Sequence, residues 1–130
     1  MPLYNLASRE ALEPKTREAV AQAVTRAHCA VTGAPAEFVN VMFVHGHALA
    51  RGNTISAIGG VRKGGTRTPE VVERLRTALQ EAVAQASGNA IERVEITLIG
   101  IASNWVMEGG EIMPDPGAEA EWLARRAGDR

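Results

Sequence analysis

The sequence predicts an α+β fold in which two tandem βαβ units form a four-stranded sheet with two helices on one face. Three observations lead there. The chain repeats itself once, each copy carries a helix punctuated by proline and glycine, and β-branched runs flank each helix. At a constant offset of 55 residues, Pro14 falls on Pro69, Gly33 on Gly88, Val39 on Val94, Val41 on Ile96 and Phe43 on Leu98. A repeat of this kind marks a duplicated supersecondary unit.

Taken in order, a short strand over Leu3–Ala7 opens the first half. The first helix starts at Pro14, where a missing N–H is no loss, and closes at Gly33, where a left-handed residue is needed. Between them Ala19, Val20, Ala23, Val24, Ala27 and Val31 form an apolar stripe at helical spacing. The strand Phe38–Val44 follows, rich in the residues that suit a pleated, half-buried surface. The second half repeats the plan. A strand at about Thr54–Arg62 leads to a helix from Pro69 to Gly88 with a stripe of Val72, Leu75, Leu79, Ala82, Val83 and Ala86. Val94–Ile99 is its last strand. Each crossover should be right-handed. With both helices on one face, the other face of the sheet stays apolar and calls for a partner. The whole is one domain, 1–130, made of halves at about 2–53 and 54–110 plus a C-terminal tail. The final residues, Ala124 to Arg130, are charged and are expected to fray or to clasp a neighbouring subunit.

Composition narrows the function. Fourteen basic residues against fifteen acidic ones leave no basic face for nucleic acid, so no nucleic-acid partner is expected. Cys29 is the single cysteine, which excludes an internal disulfide and suits a reducing cytoplasm. No apolar stretch approaches the roughly eighteen residues of a membrane span. Arg9 and Glu10 stand where a signal peptide needs its apolar core. A soluble, cytoplasmic protein with no membrane partner is the expectation.

Several residues are candidates for chemistry. Pro2 follows a methionine of the kind that processing removes, which would leave a secondary amine able to exchange a proton near neutral pH. The plain alternative is that Met-Pro is a common start with no chemistry in it. Arg62 and Arg67 flank Lys63-Gly64-Gly65-Thr66, just ahead of a helix that Thr68 caps. Cations gain nothing from a helix start, and paired guanidiniums grip a carboxylate well. They read equally as a solvated surface pair. Glu108, in Trp105-Val106-Met107-Glu108-Gly109-Gly110, would be partly desolvated by Trp105 and Met107 and so be a stronger base. Otherwise it is a turn glutamate. His28 sits near the C-terminal end of the first helix, where a cation is welcome, and its neighbour Cys29 reads as packing. His45 and His47 point the same way but lack an acidic or thiolate co-ligand, so no metal site is expected. Gly59-Gly60 and Gly64-Gly65 match no nucleotide fingerprint, and no cofactor is expected.

Pro2, the duplicated βαβ unit and the arginine pair together resemble the tautomerase superfamily. Two stretches look like its cis-3-chloroacrylic acid dehalogenase branch. One is Arg26-Ala27-His28-Cys29-Ala30-Val31-Thr32-Gly33; the other runs from Met107 to Gly117, followed by Glu121-Trp122. The resemblance covers nearly the whole chain, to about Leu123. It implies that Pro2 is the catalytic amine and that Arg62 and Arg67 hold a substrate carboxylate. His28 would help bind substrate, and Glu108 would activate water. Trp105 joins the arginines in the expected substrate-binding set. The resemblance also implies a homotrimer built around the apolar sheet faces, acting on a small-molecule carboxylate.

The chain departs from that branch in three ways. Thr97 stands where the dehalogenase has an active-site tyrosine and is too short and too weakly acidic to replace a phenol. Arg67 follows Arg62 by five positions rather than three. The first half is also shorter between Val44 and Gly59. The expected activity is therefore proline-dependent enol–keto tautomerisation of a small 2-oxo or unsaturated carboxylate. Dehalogenation or hydration of a cis-3-haloacrylate ranks second. A non-catalytic binding module and a metal enzyme using His45 and His47 stay open behind them.

Overall fold

Each of the two long helices begins on a proline and is closed by the glycine that follows it, and both ends fall where the repeat places them. A computed structural model of the chain describes residues 2–46 and 48–129. In chain order, β1 is Leu3–Ser8, α1 Pro14–Thr32, β2 Asn40–His45, β3 Ile55–Lys63, α2 Pro69–Ser87 and β4 Val94–Ala102. A small hairpin, β5 Met107–Glu108 and β6 Glu111–Ile112, leads to α3, Glu119–Gly128. Phe38 differs from expectation. It ends a single 3-10 turn, Ala36–Phe38, instead of opening β2, and Ile91–Arg93 makes the matching turn before β4. The repeat therefore extends to the turns that tip each helix back onto the sheet.

The sheet order is β2-β1-β3-β4. Within each half the strands run parallel, β1 with β2 and β3 with β4, while β1 and β3 join the halves antiparallel. Tyr4 pairs with Val41 in the first half, and Ala57 pairs with Ile96, the counterpart of Val41, in the second. The inner face carries Tyr4, Leu6, Ile55, Ala57, Val61, Val94 and Ile96. These pack with Val20 and Val24 of α1 and with Leu75, Leu79 and Val83 of α2 in one core. Removing that area from water is the main force holding both helices to the same face.

The outer face is the reverse. Leu3, Met42, Val44, Ile58 and Ile99 all alternate outward and remain 38–51% exposed. Strand alternation makes them one apolar surface instead of scattered residues.

α3 is a third helix beyond the two expected, and it corrects the reading of the tail. Residues 124–128 are helical and fold back on their own chain instead of fraying. The Trp122 ring meets Phe38 edge-on at 5.9 Å, and the Arg126 guanidinium lies 4.5 Å over the Trp122 ring. Arg126 also approaches Glu111 at 3.6 Å. Acids in the first turn and Arg125 and Arg126 in the last suit the helix dipole. Among the described residues, no helix is long and apolar enough to cross a membrane.

Candidate active site

The antiparallel register pairs Leu3 with Gly60, so Pro2 stands alongside the Val61–Arg62 end of β3. Pro2 is buried, and its carbonyl accepts the Asn40 N–H at 3.0 Å. The same end of the sheet receives the last turns of α1, and with them His28.

His28 is 1% exposed. Its Nδ1 is 2.7 Å from the Tyr4 hydroxyl, and the two rings meet edge-on. Nε2 is buried and, among the described residues, has no hydrogen-bond partner. Burial is the main force pulling the imidazole pKa down to about 3, and the positive charges of Arg67 and Arg62 add to it. The ring is therefore neutral at pH 7. Burial likewise pushes the Tyr4 phenol well above its ordinary value, so it keeps its proton. Room for the Tyr4 ring comes from Gly59 directly across the strand pair. A Cβ there would stand 2.4 Å from Tyr4 Cε1, closer than any real contact.

Arg62 is the next-to-last residue of β3, and Arg67 follows it by five positions. The chain closes that distance with a tight turn. Gly64 and Gly65 take φ of 91° and 56°, and Arg67 N–H donates back to the Gly64 carbonyl at 3.0 Å. Left-handed residues in succession are what glycine allows. Both guanidiniums are buried by this turn and by the tail, at 3% and 7% exposure. Arg67 Nη1 reaches Thr32 O at 3.5 Å and Thr66 Oγ1 at 3.3 Å. That first contact ties the arginine to the end of the His28 helix. Arg67 Nε is buried without a partner among the described residues.

The two arginines converge on a carboxylate, and it belongs to the protein. Glu119, the first residue of α3, is 3% exposed. Its Oε1 accepts from Arg62 Nη2 and, at 3.4 Å, from Arg67 Nη2. Its Oε2 accepts the Gly117 N–H at 2.8 Å, and Arg62 Nη1 donates to the Pro114 carbonyl. Burial lowers both arginine pKa values and the Glu119 charge opposes that shift. An arginine nonetheless stays charged in a protein. Taking one member from such a buried ion cluster generally costs about 3–5 kcal/mol, because the others are left uncompensated.

Glu108 lies on β5, across a Gly109-Gly110 turn from Glu111, and is half-buried. The expected apolar wall beside it is missing within one chain: Trp105 is 81% and Met107 63% exposed. Both stand on the segment that leaves β4 at the Arg62 end of the sheet, where Ile101 pairs with Arg62. Thr97 is exposed and pairs with Ile58 on the outer face, away from the Tyr4–His28 pair. His45 is exposed beside Ser8, at the opposite end of the sheet from the arginines, and His47 lies outside the described residues. Burial raises the Cys29 thiol pKa, which makes it a poorer nucleophile.

The structure thus brings together Pro2, His28, Arg62 and Arg67, with Glu108 and Trp105 following β4 at the same end. Sequence reasoning missed Tyr4 and Glu119. Tyr4 is two residues from Pro2 on a strand whose alternation points it toward the helices, a signal that was available. For Glu119 the only signal was that two cations set before a helix need an acid from somewhere.

No protein-family model matches the sequence, and no curated protein is significantly similar to it. Solved structures are similar. One is the crystal structure of N1, a member of the cis-3-chloroacrylic acid dehalogenase family. It is 26% identical over 94% of this chain and 90% of its own, with a TM-score of 0.83. A fused 4-OT described as a symmetric trimer is 22% identical over 85% of this chain and 94% of its own, at 0.71. The macrophage migration inhibitory factor of Toxoplasma gondii is 18% identical over 85% and 99%, at 0.70. The last two likenesses speak to fold alone.

Proposed function

The chain belongs to the tautomerase superfamily, similar to its cis-3-chloroacrylic acid dehalogenase branch, and on that footing we propose that it is a proline-dependent tautomerase of small 2-oxo or unsaturated carboxylates. The observation that carries the reading is the Arg62–Arg67 fork. It already holds one carboxylate in a buried seat, next to a neutral histidine whose Nε2 has no partner among the described residues.

The residues divide the work as follows. Arg62 and Arg67 bind the substrate carboxylate and offset the negative charge that develops on the adjacent enolate. The Tyr4 hydroxyl donates a hydrogen bond to His28 Nδ1 and keeps its proton, so the neutral ring carries its own proton on Nε2. That N–H then donates to the 2-oxygen of the substrate. Pro2, once Met1 is removed, presents a secondary amine. In its neutral form the amine takes the enol hydroxyl proton and delivers it to carbon 3. The O–H bond breaks as the C–H bond forms, and the product is the 2-oxo acid. Positive charge from the arginines favours a neutral amine.

Likeness to N1 favours a second reading, hydration or dehalogenation of a cis-3-haloacrylate, with Glu108 directing water and a protonated Pro2 donating to carbon. Thr97 offers no phenol for that route, which leaves it second. The outer sheet face supports assembly as a homotrimer, which would bring a neighbour's surface over Trp105 and Thr97. One free cysteine and balanced charge suit a cytoplasmic site of action.

Ketonisation of phenylenolpyruvate, followed by ultraviolet absorbance on wild type and Pro2→Ala, tests the proposal. Turnover in wild type that falls at least a hundredfold in Pro2→Ala is the expected result. Equal turnover in both proteins would overturn it.

A further inference from the structure

We infer that Glu119 is a tethered competitor for the substrate's carboxylate seat, and that α3 must lift from the arginines before a ligand can bind; the inference rests on the reading of Arg62 and Arg67 given above. The seat is fully taken. Glu119 Oε1 occupies the space between the two Nη2 atoms, and all three side chains are 7% exposed or less. A second carboxylate has no route to both guanidiniums while Glu119 remains.

Two observations mark Glu119 as an exchangeable occupant rather than a fixed brace. First, it satisfies the site incompletely. The Arg67 contact is long at 3.4 Å, while Arg67 Nε and His28 Nε2 stay buried and unpartnered among the described residues. Buried donors left unmade are costly, so a ligand bringing a carboxylate and a further oxygen has something to gain that Glu119 cannot supply. Second, α3 is lightly attached. Glu119 is its one buried residue, whereas α1 and α2 each bury four, and no α3 residue joins the hydrophobic core. An element with little buried apolar surface is held mainly by its ion contacts, and an incoming carboxylate replaces those as the helix lifts.

A tethered carboxylate acts at an effective concentration in the millimolar range. It sets a threshold: a bare monocarboxylate competes poorly, and a 2-oxo acid with a second anchor succeeds. Because competition multiplies every dissociation constant by one factor, relieving it should help all carboxylates that use the fork equally. A residue that touched the substrate would instead change affinities unequally.

Calorimetric titration of wild type and Glu119→Gln with propionate and with benzoate, at constant ionic strength, measures that factor. The expected gain in Glu119→Gln is on the order of tenfold or more and the same for both ligands. In parallel, hydrogen exchange of residues 114–129 in wild type should speed up when propionate saturates the site. Unchanged or weaker binding in Glu119→Gln, unequal gains, or α3 protection that persists at saturation would each overturn the inference. If the variant does not fold, the exchange measurement on wild type decides alone. The Pro2→Ala assay is separate. Proline-dependent turnover with no gain in Glu119→Gln leaves the reaction and removes this role; a uniform gain without turnover does the reverse.

Discussion

At Tyr4 a single hydroxyl sits against one nitrogen of His28, and burial decides the charge of both groups. The same burial has a cost that pH can reveal. His28 ionises at about 3 when folded and near 6.5 when unfolded, so between those values the unfolded chain binds the extra proton. Stability from the neutral imidazole is complete above about pH 6.5 and is lost as pH falls toward 3. The loss is roughly a few kcal/mol at most. Urea midpoints measured from pH 7.5 to 4 should fall more steeply for wild type than for His28→Asn, and parallel slopes would contradict the assignment. Arg62 and Arg67 stood out in the sequence as paired cations at a helix start, whereas local pattern made His28 an ordinary helix-end histidine and only the family resemblance singled it out. Glu119 did not stand out. Its arginine partners lie more than fifty positions away, and nothing in the local sequence pattern separates it from Glu121, two residues on and exposed.

Among the elements, the two long helices look alike in sequence and differ at their starts. Thr68 accepts the Val71 N–H at 3.3 Å through its side chain, whereas Glu13, at the same place on α1, makes no such bond. Thr68→Ala should therefore cost about 1 kcal/mol, a typical capping loss. Glu13→Ala should stay within about 0.5 kcal/mol, as surface changes usually do. Denaturant titration of the pair distinguishes them, and equal losses would show that the Thr68 bond does not act as a cap. Helix ends were readable because Pro14, Gly33, Pro69 and Gly88 each have one local reason to be there. Strand starts were less so: Phe38 has the side chain of a strand residue, and only the backbone of a 3-10 turn reveals otherwise. α3 was missed for a third reason. Ten residues with little buried apolar area give a weak pattern, and an ion cluster, not periodicity, fixes where the helix lies.

For the whole molecule, the outer sheet face is the feature a single chain cannot account for. Leu3, Met42, Val44, Ile58 and Ile99 form an apolar surface that monomers rarely leave in water. Ile58, 46% exposed and central in β3, is the place to test it. Ile58→Lys should shift the mass measured by light scattering from that of an oligomer to that of one chain, with helical content retained. An unchanged mass would show that this face is not the interface. Alternation along the strands made the surface predictable, because the inner face claims every second residue and leaves the rest no partner within the chain.

The joining of two halves in one chain also limits how many reactive ends the protein can own. Matched through the strand pairing, Leu3 corresponds to Ser56 and Pro2 to Ile55, while His28 of α1 corresponds to Val83 of α2. Ile55 lies inside the chain, so its nitrogen is an amide without a basic lone pair, whatever happens at Pro2. Tyr4 and Leu6 likewise answer to Ala57 and Gly59, so the second half has neither phenol nor imidazole at the matching depth. Fusion keeps the symmetry of the frame and gives up the symmetry of the chemistry. Each chain can hold one working end and one blank end, and the blank half is free to serve only as architecture.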